Sequence, residues 1–359
     1  MRTVHNFSAG PGALPRSVLT QVEKDLFSYR DTGVSVMELS HRSAPIVELI
    51  NDTTDRFRAL LELDDKWEVI LLQGGGSLQF VMAPLNLSME GDHVDYVDTG
   101  YWSQRAIKEV GRCHRDVHVF SNGRPGNYDY LPGPDDIKTR QDARYLHICT
   151  NNTVVGTQWH QLPRVDAPLV IDASSDLLSR HIPLDNVNCL YAHAQKNSGL
   201  AGVTVVAVRK SALLPDQGLP YILDYRSHID QHSNYHTPPV FSIYVTNLML
   251  KWLEYDIGGL DMMSQLNTEK SQILYDAIDN SDLFSCPVIQ KDRSQMNVVF
   301  STGSKETDAQ FIAYCQENNM TGVAGHRSRG GMRVSLYNAV TLDDIQALID
   351  SMHTFEQYN

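Results

Sequence analysis

Between about residue 16 and residue 210 the chain alternates two kinds of hydrophobic pattern. Stretches such as "VLTQVEKDLFSYR", "VELINDTTDRFRALL", "SLQFVMAPLNL" and "WSQRAIKEV" repeat their apolar positions at helical spacing, which predicts helices with one buried face. Between and after them come "WEVILLQ", "VDYVDTG", "DVHVF", "YLHICT", "APLVIDAS", "VNCLYAHA" and "GVTVVAVR", short apolar runs without strict alternation. Runs of that kind suit strands covered on both faces. The alternation therefore predicts an α/β fold, a mostly parallel sheet with right-handed crossovers and flanking helices.

The pattern changes after residue 213. The segment "LPDQGLPYILDYRSHIDQHSNYHTPPV" is polar, carries prolines and histidines, and shows no period, so it reads as a long functional loop. Phe241, Tyr244, Leu248 and Trp252 then keep helical spacing up to Gly258 and Gly259, which can end one helix before the next begins. A second unit follows: a helix over "LDMMSQLNTEKSQILYDAID", a strand at "QMNVVFST", a helix over "ETDAQFIAYCQEN", a strand at "GMRVSLYN" and a last helix opened by a Thr341/Asp344 capping box. The chain thus divides into a large domain over residues 16–258 and a smaller α+β domain formed by 259–359 together with 1–15.

Composition narrows the class of partner. Charged residues are 20% of the 359 and the formal charge is −13, which argues against nucleic acid or an anionic membrane as the main partner. The N-terminal stretch lacks the apolar core of a signal peptide and no apolar run approaches the ~20 residues that cross a bilayer, so a cytoplasmic location is expected. The five cysteines are scattered, without C-x-x-C pairs or metal-ligand spacing, and read as buried free thiols with no metal site.

Three short segments carry candidate chemistry. In "LQGGGSLQF" a strand ends at Gln73 and a helix begins near Ser77, so bare N–H groups and a positive helix end face one spot where an anion such as phosphate could bind. The same glycines could merely let helix and strand approach closely. Asp172 closes the run "PLVID" at a strand end, where it could hold a cationic ring nitrogen or simply cap a turn. Lys196, in "YAHAQKNSGLAG", also lies just past an apolar run; partial burial would make it a nucleophile towards a carbonyl, whereas an outward turn would leave it an ordinary solvated lysine. Taken together, a phosphate cradle, an acid for a pyridinium nitrogen and a lysine for an aldehyde are what pyridoxal 5'-phosphate requires of a protein. Trp102, at another strand-to-helix junction, could stack on the ring.

With these residues, and with "HNFSAGPGALP", "SVMELSHRS", "NNTVVGT", "HTPP" and "GHRSRGGMRVSLYNA", the chain resembles the fold-type-I pyridoxal-phosphate-dependent transferases over its whole length. Within them it is similar to the class-V aminotransferases that act on phosphoserine. That resemblance implies a reversible, ping-pong transfer of an amino group from glutamate to 3-phosphohydroxypyruvate, giving O-phospho-L-serine and 2-oxoglutarate, as in serine biosynthesis. The phosphorylated threonine precursor of pyridoxine synthesis, 4-phosphohydroxy-L-threonine, is a second candidate substrate. The resemblance also assigns roles. Lys196 would bond to the cofactor and carry a proton, and Asp172 would hold the ring nitrogen. Gly76, Ser77 and Gln195 would meet the cofactor phosphate, Trp102 would cover the ring, and Thr153 would hydrogen-bond near it. His236 and Thr237 would reach the cofactor phosphate of a second copy, making the active enzyme a homodimer. Arg333 would grip the substrate's α-carboxylate, and His41, Arg42, His326 and Arg327 its distal anion, one pair across the dimer.

Three positions depart from the family pattern. Ser77 stands where one branch has an arginine, Arg329 where valine is usual, and His236 where asparagine is common. Arg329 could make up for the charge missing at Ser77, or it could be an outward loop arginine. Other class-V chemistries remain open on the residues alone: a serine–glyoxylate aminotransferase, or a cysteine desulfurase, which needs a cysteine on a mobile loop that is not evident here. So does a binding protein that keeps the fold without catalysis, although Lys196 and Asp172 speak against it.

Overall fold

A computed structural model describes residues 4–121 and 128–358; Met1–Thr3 and Asn359, assigned above to the small domain, lie outside them. The centre is a seven-stranded sheet, in spatial order Trp67–Leu72, Thr204–Arg209, Val187–His193, Leu169–Asp172, Leu146–Cys149, His93–Asp98 and Asp116–Ser121. Only Thr204–Arg209 runs antiparallel to its neighbours; the other pairings are parallel. The central runs are buried at nearly every position, which explains why they lack alternation. Helices cover both faces, with the helix Ala44–Leu60 packed against Val240–Lys251 over one and Gly75–Leu87 beside Tyr101–Arg112 over the other.

This topology decides where chemistry can occur. Leu72, Asp98, Cys149, Asp172 and His193 end their strands at one edge of the sheet, the place where open α/β folds bind ligands. Gly74 and Gly75 take left-handed backbone angles (φ +87° and +65°) and turn the chain from the first strand into its helix. The helix begins at Gly75, two residues before the expected start near Ser77, because the glycines themselves form its first turn.

Two other elements differ from expectation. The first helix stops at Asp25 rather than continuing through Arg30; Arg30 and Asp31 sit at positive φ (48° and 58°), which a helix cannot hold. Inside the supposed long loop, Tyr221–Leu223 forms a 3-10 turn and Tyr225–Asp230 a short helix, whose N-cap Asp224 accepts from the Arg226 N–H at 2.9 Å. One or two turns are too brief for a period to register in sequence.

The C-terminal part packs its own core around Leu274, Phe300, Phe311, Val334, Leu348 and Phe355, and Phe7 from the N-terminus joins it, fully buried. Its antiparallel strands are Asn297–Phe300 and Met332–Ser335. The capping box at Thr341 is formed on both sides, with Asp344 Oδ2 accepting the Thr341 N–H at 2.8 Å and Thr341 Oγ1 accepting the Asp344 N–H at 3.2 Å. His5 bonds the same Asp344 at 2.7 Å, fastening the strand His5–Asn6, which pairs in parallel with Met320–Thr321. From there the chain 8–12 runs to the sheet edge, where the Gly12 N–H meets the Gln195 carbonyl at 2.8 Å.

Candidate active site

Lys196 follows the strand Val187–His193 by three residues and turns inward. Its Nζ donates to Thr153 Oγ1 at 2.7 Å and lies 5.3 Å from the centre of the Trp102 ring. Burial is the main influence on it and lowers its pKa to about 8, although Asp172 pulls the other way and Arg333 reinforces the drop. About a tenth of such an amine is neutral at pH 7, against well under a thousandth for an ordinary lysine. The amine is therefore a competent nucleophile near neutrality. Cofactor-free protein should capture pyridoxal phosphate faster as pH rises through about 8 and level off above it, since only the neutral amine attacks; stopped-flow absorbance measures this.

Asp172 ends its strand beneath this lysine's neighbourhood, only 7% exposed, with Oδ1 accepting from the Ser174 N–H at 2.9 Å. Burial raises its pKa, outweighing the Ser174 hydrogen bond and the nearby Lys196, which pull it down. A side chain added at Gly76 would touch Ser174 Oγ at 3.4 Å, Asp172 Oδ2 at 3.8 Å and the Tyr191 ring at 4.0 Å. Gly76 therefore borders the space in front of the carboxylate. Gly75, at the helix start, faces His193 Nδ1 at 3.0 Å by the same measure. Bare N–H groups at a helix N-terminus and a buried acid thus open onto one space, with Ser77 one residue further along the helix.

The remaining predicted residues fall into two groups. Trp102 sits in the first turn of the helix Tyr101–Arg112, its indole N–H buried without a partner. Arg333, on the strand Met332–Ser335, reaches the Thr153 carbonyl with Nη1 at 3.4 Å, while its buried Nε has no acceptor. Burial lowers its pKa, with Tyr337 pulling the other way, and a guanidinium with a free donor stands beside the Lys196–Thr153 pair, as a carboxylate would require. His326 rests against Tyr101, ring centres 5.3 Å apart, and Tyr101 against Trp102 at 5.1 Å. Gln195 lies under the N-terminal strap, its amide nitrogen 3.6 Å from where a Gly10 side chain would begin. Arg327 is exposed on the turn after His326.

His41, Arg42, His236 and Thr237 gather elsewhere, at a rim of the molecule. Asn234 donates to the His41 carbonyl at 2.9 Å, and Gln73, at the foot of the glycine turn, donates to the Thr237 carbonyl at 3.0 Å. Exposed aromatic rings stand beside them: Tyr235 lies 6.3 Å from the His236 ring and 6.5 Å from that of Tyr221. Arg329 is partly buried with Asp129 and Cys286 as its electrostatic neighbours. Sequence reasoning passed over Tyr101, which bridges Trp102 and His326; only its adjacency to Trp102 hinted at it. It also gave His193 no role, yet this half-buried imidazole abuts the glycine turn, its pKa lowered by burial and then by Lys196.

A cofactor fit can be judged from these atoms. The cradle left open by glycines, the partnerless indole N–H beside it and the buried acid, its pKa raised by desolvation, match a planar pyridinium ring bearing a phosphate. Fold and site together define a pyridoxal-phosphate-dependent aminotransferase. The class-V aminotransferase family pattern spans residues 4–348, and the chain belongs to that family. A phosphoserine aminotransferase of Geobacillus kaustophilus is 44% identical over 360 aligned residues, covering 99% of each chain. Solved structures share the fold closely. A phosphoserine aminotransferase from Bacillus circulans subsp. alkalophilus superposes with a TM-score of 0.96 at 39% identity over 99% of both chains. One from Trichomonas vaginalis, with pyridoxal phosphate bound, gives 0.93 at 38% identity over 98% of this chain and 100% of that one.

Proposed function

We propose that the protein transfers an amino group reversibly between O-phospho-L-serine and 2-oxoglutarate, producing 3-phosphohydroxypyruvate and L-glutamate. The observation that carries this reading is the convergence of Lys196 and Arg333 on Thr153, one at its hydroxyl and the other at its carbonyl, in a chain similar end to end to phosphoserine aminotransferases. When bound, pyridoxal phosphate supplies an aldehyde for covalent attachment and an electron-withdrawing ring that stabilises charge at the substrate's α-carbon. The chain supplies the rest. Lys196 takes the α-proton and would deliver it to the cofactor's C4′ carbon, and Thr153 steadies its amine. Asp172 holds the ring nitrogen protonated, Trp102 covers the ring, and the N–H groups at Gly76 and Ser77, with Gln195, receive the phosphate. Arg333 orients the α-carboxylate.

The distal phosphate falls to His326 and Arg327 of one copy and His41 and Arg42 of another, with His236 and Thr237 of that second copy at the cofactor phosphate. The exposed rings of Tyr221 and Tyr235 beside His236 support a homodimer closed there. Among the described residues no helix is long and apolar enough to cross a membrane, in keeping with a cytoplasmic enzyme. The division into a large domain over 16–258 and a small domain over 259–359 with 1–15 belongs to the same reading, supported by the separate core around Phe311.

Mixing tests the shared site. Lys196→Ala and Arg42→Ala proteins, each inactive alone, should recover about a quarter of wild-type activity after subunit exchange, because half the dimers are mixed and each has one intact site. No recovery, with exchange verified, sinks the shared site. The substrate assignment rests on a half-reaction: phosphoserine alone should change the absorbance of the bound cofactor and release a keto acid. A response to serine but none to phosphoserine would refute it. If Arg329 makes up for the charge missing at Ser77, Arg329→Val should raise the KM for phosphoserine about tenfold while leaving that for glutamate nearly unchanged, at the usual worth of one charge-assisted hydrogen bond. An unchanged phosphoserine KM discards that idea.

A further inference from the structure

Asn197, the residue after Lys196, is 4% exposed and uses both ends of its amide. Nδ2 donates to the Leu177 carbonyl at 2.7 Å and Oδ1 accepts the Asn338 N–H at 2.8 Å. Asn338 is equally buried and continues the chain of bonds. Its Nδ2 donates to the Leu178 carbonyl at 2.7 Å, and its Oδ1 accepts from Asn267 Nδ2 at 2.9 Å, which also meets the Ser179 carbonyl at 3.0 Å. Three asparagines far apart in sequence thus bond three successive carbonyls of the turn that follows Asp172.

The segment that carries Asn338 is clamped from a further side. Lys270, one helical turn beyond Asn267 and 2% exposed, donates to the carbonyls of Leu336, Tyr337 and Val340 at 3.1, 3.1 and 2.9 Å. Those residues follow the strand that carries Arg333. Across the lysine's own peptide, the Gly12 N–H bonds the Gln195 carbonyl at 2.8 Å, and the Tyr337 hydroxyl holds the Ala9 carbonyl at 2.8 Å. A side chain at Gly12 would stand 2.4 Å from the Lys196 carbonyl, so the strap closes that side completely.

We propose that Asn197, anchored by Asn338 and Asn267, is a positioning residue for the reaction: it fixes the backbone of Lys196 relative to the Asp172 turn and the Arg333 strand. Apolar packing alone would hold these three segments together, but it sets distance and leaves direction loose. The amides of Asn197 and Asn338, each bonded at both the nitrogen and the oxygen, set both. The network therefore converts the placement of three sequence-distant segments into one geometry for the Lys196 amine. This role rests on Lys196 being the reacting lysine, which Lys196→Ala tests separately.

The test uses the full-length protein with Asn197→Ala, Asn338→Ala and both together. In cofactor-free protein, the pH dependence of Lys196 labelling by an amine reagent, read by peptide mass spectrometry, reports how the amine is held. Its midpoint should move upward by about half a pH unit or more, towards that of a free lysine, as positioning loosens. In the loaded enzyme kcat for the half-reaction should fall about tenfold for Asn197→Ala and less for Asn338→Ala, which keeps the backbone N–H that Asn197 accepts and loses only the bonds to Leu178 and Asn267, with the double variant at least as poor as either. Asn267→Ala, at the far end, should shift the midpoint in the same direction and less. If the variants lose melting temperature while the labelling midpoint and kcat stay at wild-type values, the network is merely structural and the proposal fails. Should Asn197→Ala not fold, Asn338→Ala read by the same midpoint decides.

Discussion

Lys196→Ala should abolish covalent cofactor attachment and lower transamination by about four orders of magnitude or more. Two losses combine. The nucleophile for the aldehyde disappears, and so does the proton carrier at the α-carbon, a role by itself worth roughly 10²–10⁴-fold. Because Nζ bonds Thr153 Oγ1 at 2.7 Å inside a buried site, no neighbouring amine can take its place. Lys270 is the other lysine held deep in the protein with a pKa drawn well down, to about 7, but all three of its donors are engaged with carbonyls of the 336–340 turn. The absorbance band of wild-type protein, bleached by borohydride, should be absent from the variant. A variant that still forms a borohydride-sensitive band would place the reacting lysine elsewhere.

Arg333→Ala should produce the second large loss, expressed chiefly as a rise in KM for both amino-acid substrates. Phosphoserine and glutamate differ at the far end and share the α-carboxylate, so a residue that grips the common end should weaken both by similar factors. Truncating one member of a buried, charge-assisted pair costs about 2–5 kcal/mol, which is roughly 30- to 4,000-fold. Arg333→Lys should recover little of this, since an ammonium cannot reproduce the two parallel N–H groups of the fork. Steady-state kinetics with each substrate settles the point. A loss confined to phosphoserine would reassign Arg333 to the distal anion.

Much of this was legible along the chain. Asp172 and Lys196 each follow a strand run, and strand ends are where such folds expose chemistry, so residue type and position together marked them out. The glycine turn was legible for a related reason: three glycines between a strand and a helix leave N–H groups uncovered whatever else surrounds them. The short helix Tyr225–Asp230 and the break at Arg30 were not, because one turn of structure leaves no period. Nor was Asn197's role, since its partners Leu177 and Asn338 lie 20 and 141 positions away.

The sequence by itself determined which of the longer segments become strands and helices, that the sheet is covered on both faces, and which residue types reach its ligand-binding edge. These depend on local periodicity and on turn residues, both written into neighbouring positions. Tertiary structure alone decided that Arg333 comes to the Thr153 carbonyl, that the strap at Gly12 seals the peptide of Lys196, and that His41 and Thr237 lie together at an exposed rim. Each of those joins parts of the chain whose separation only packing can close. Hydrogen bonds over such spans are specified by the fold as a whole, and no local pattern records them.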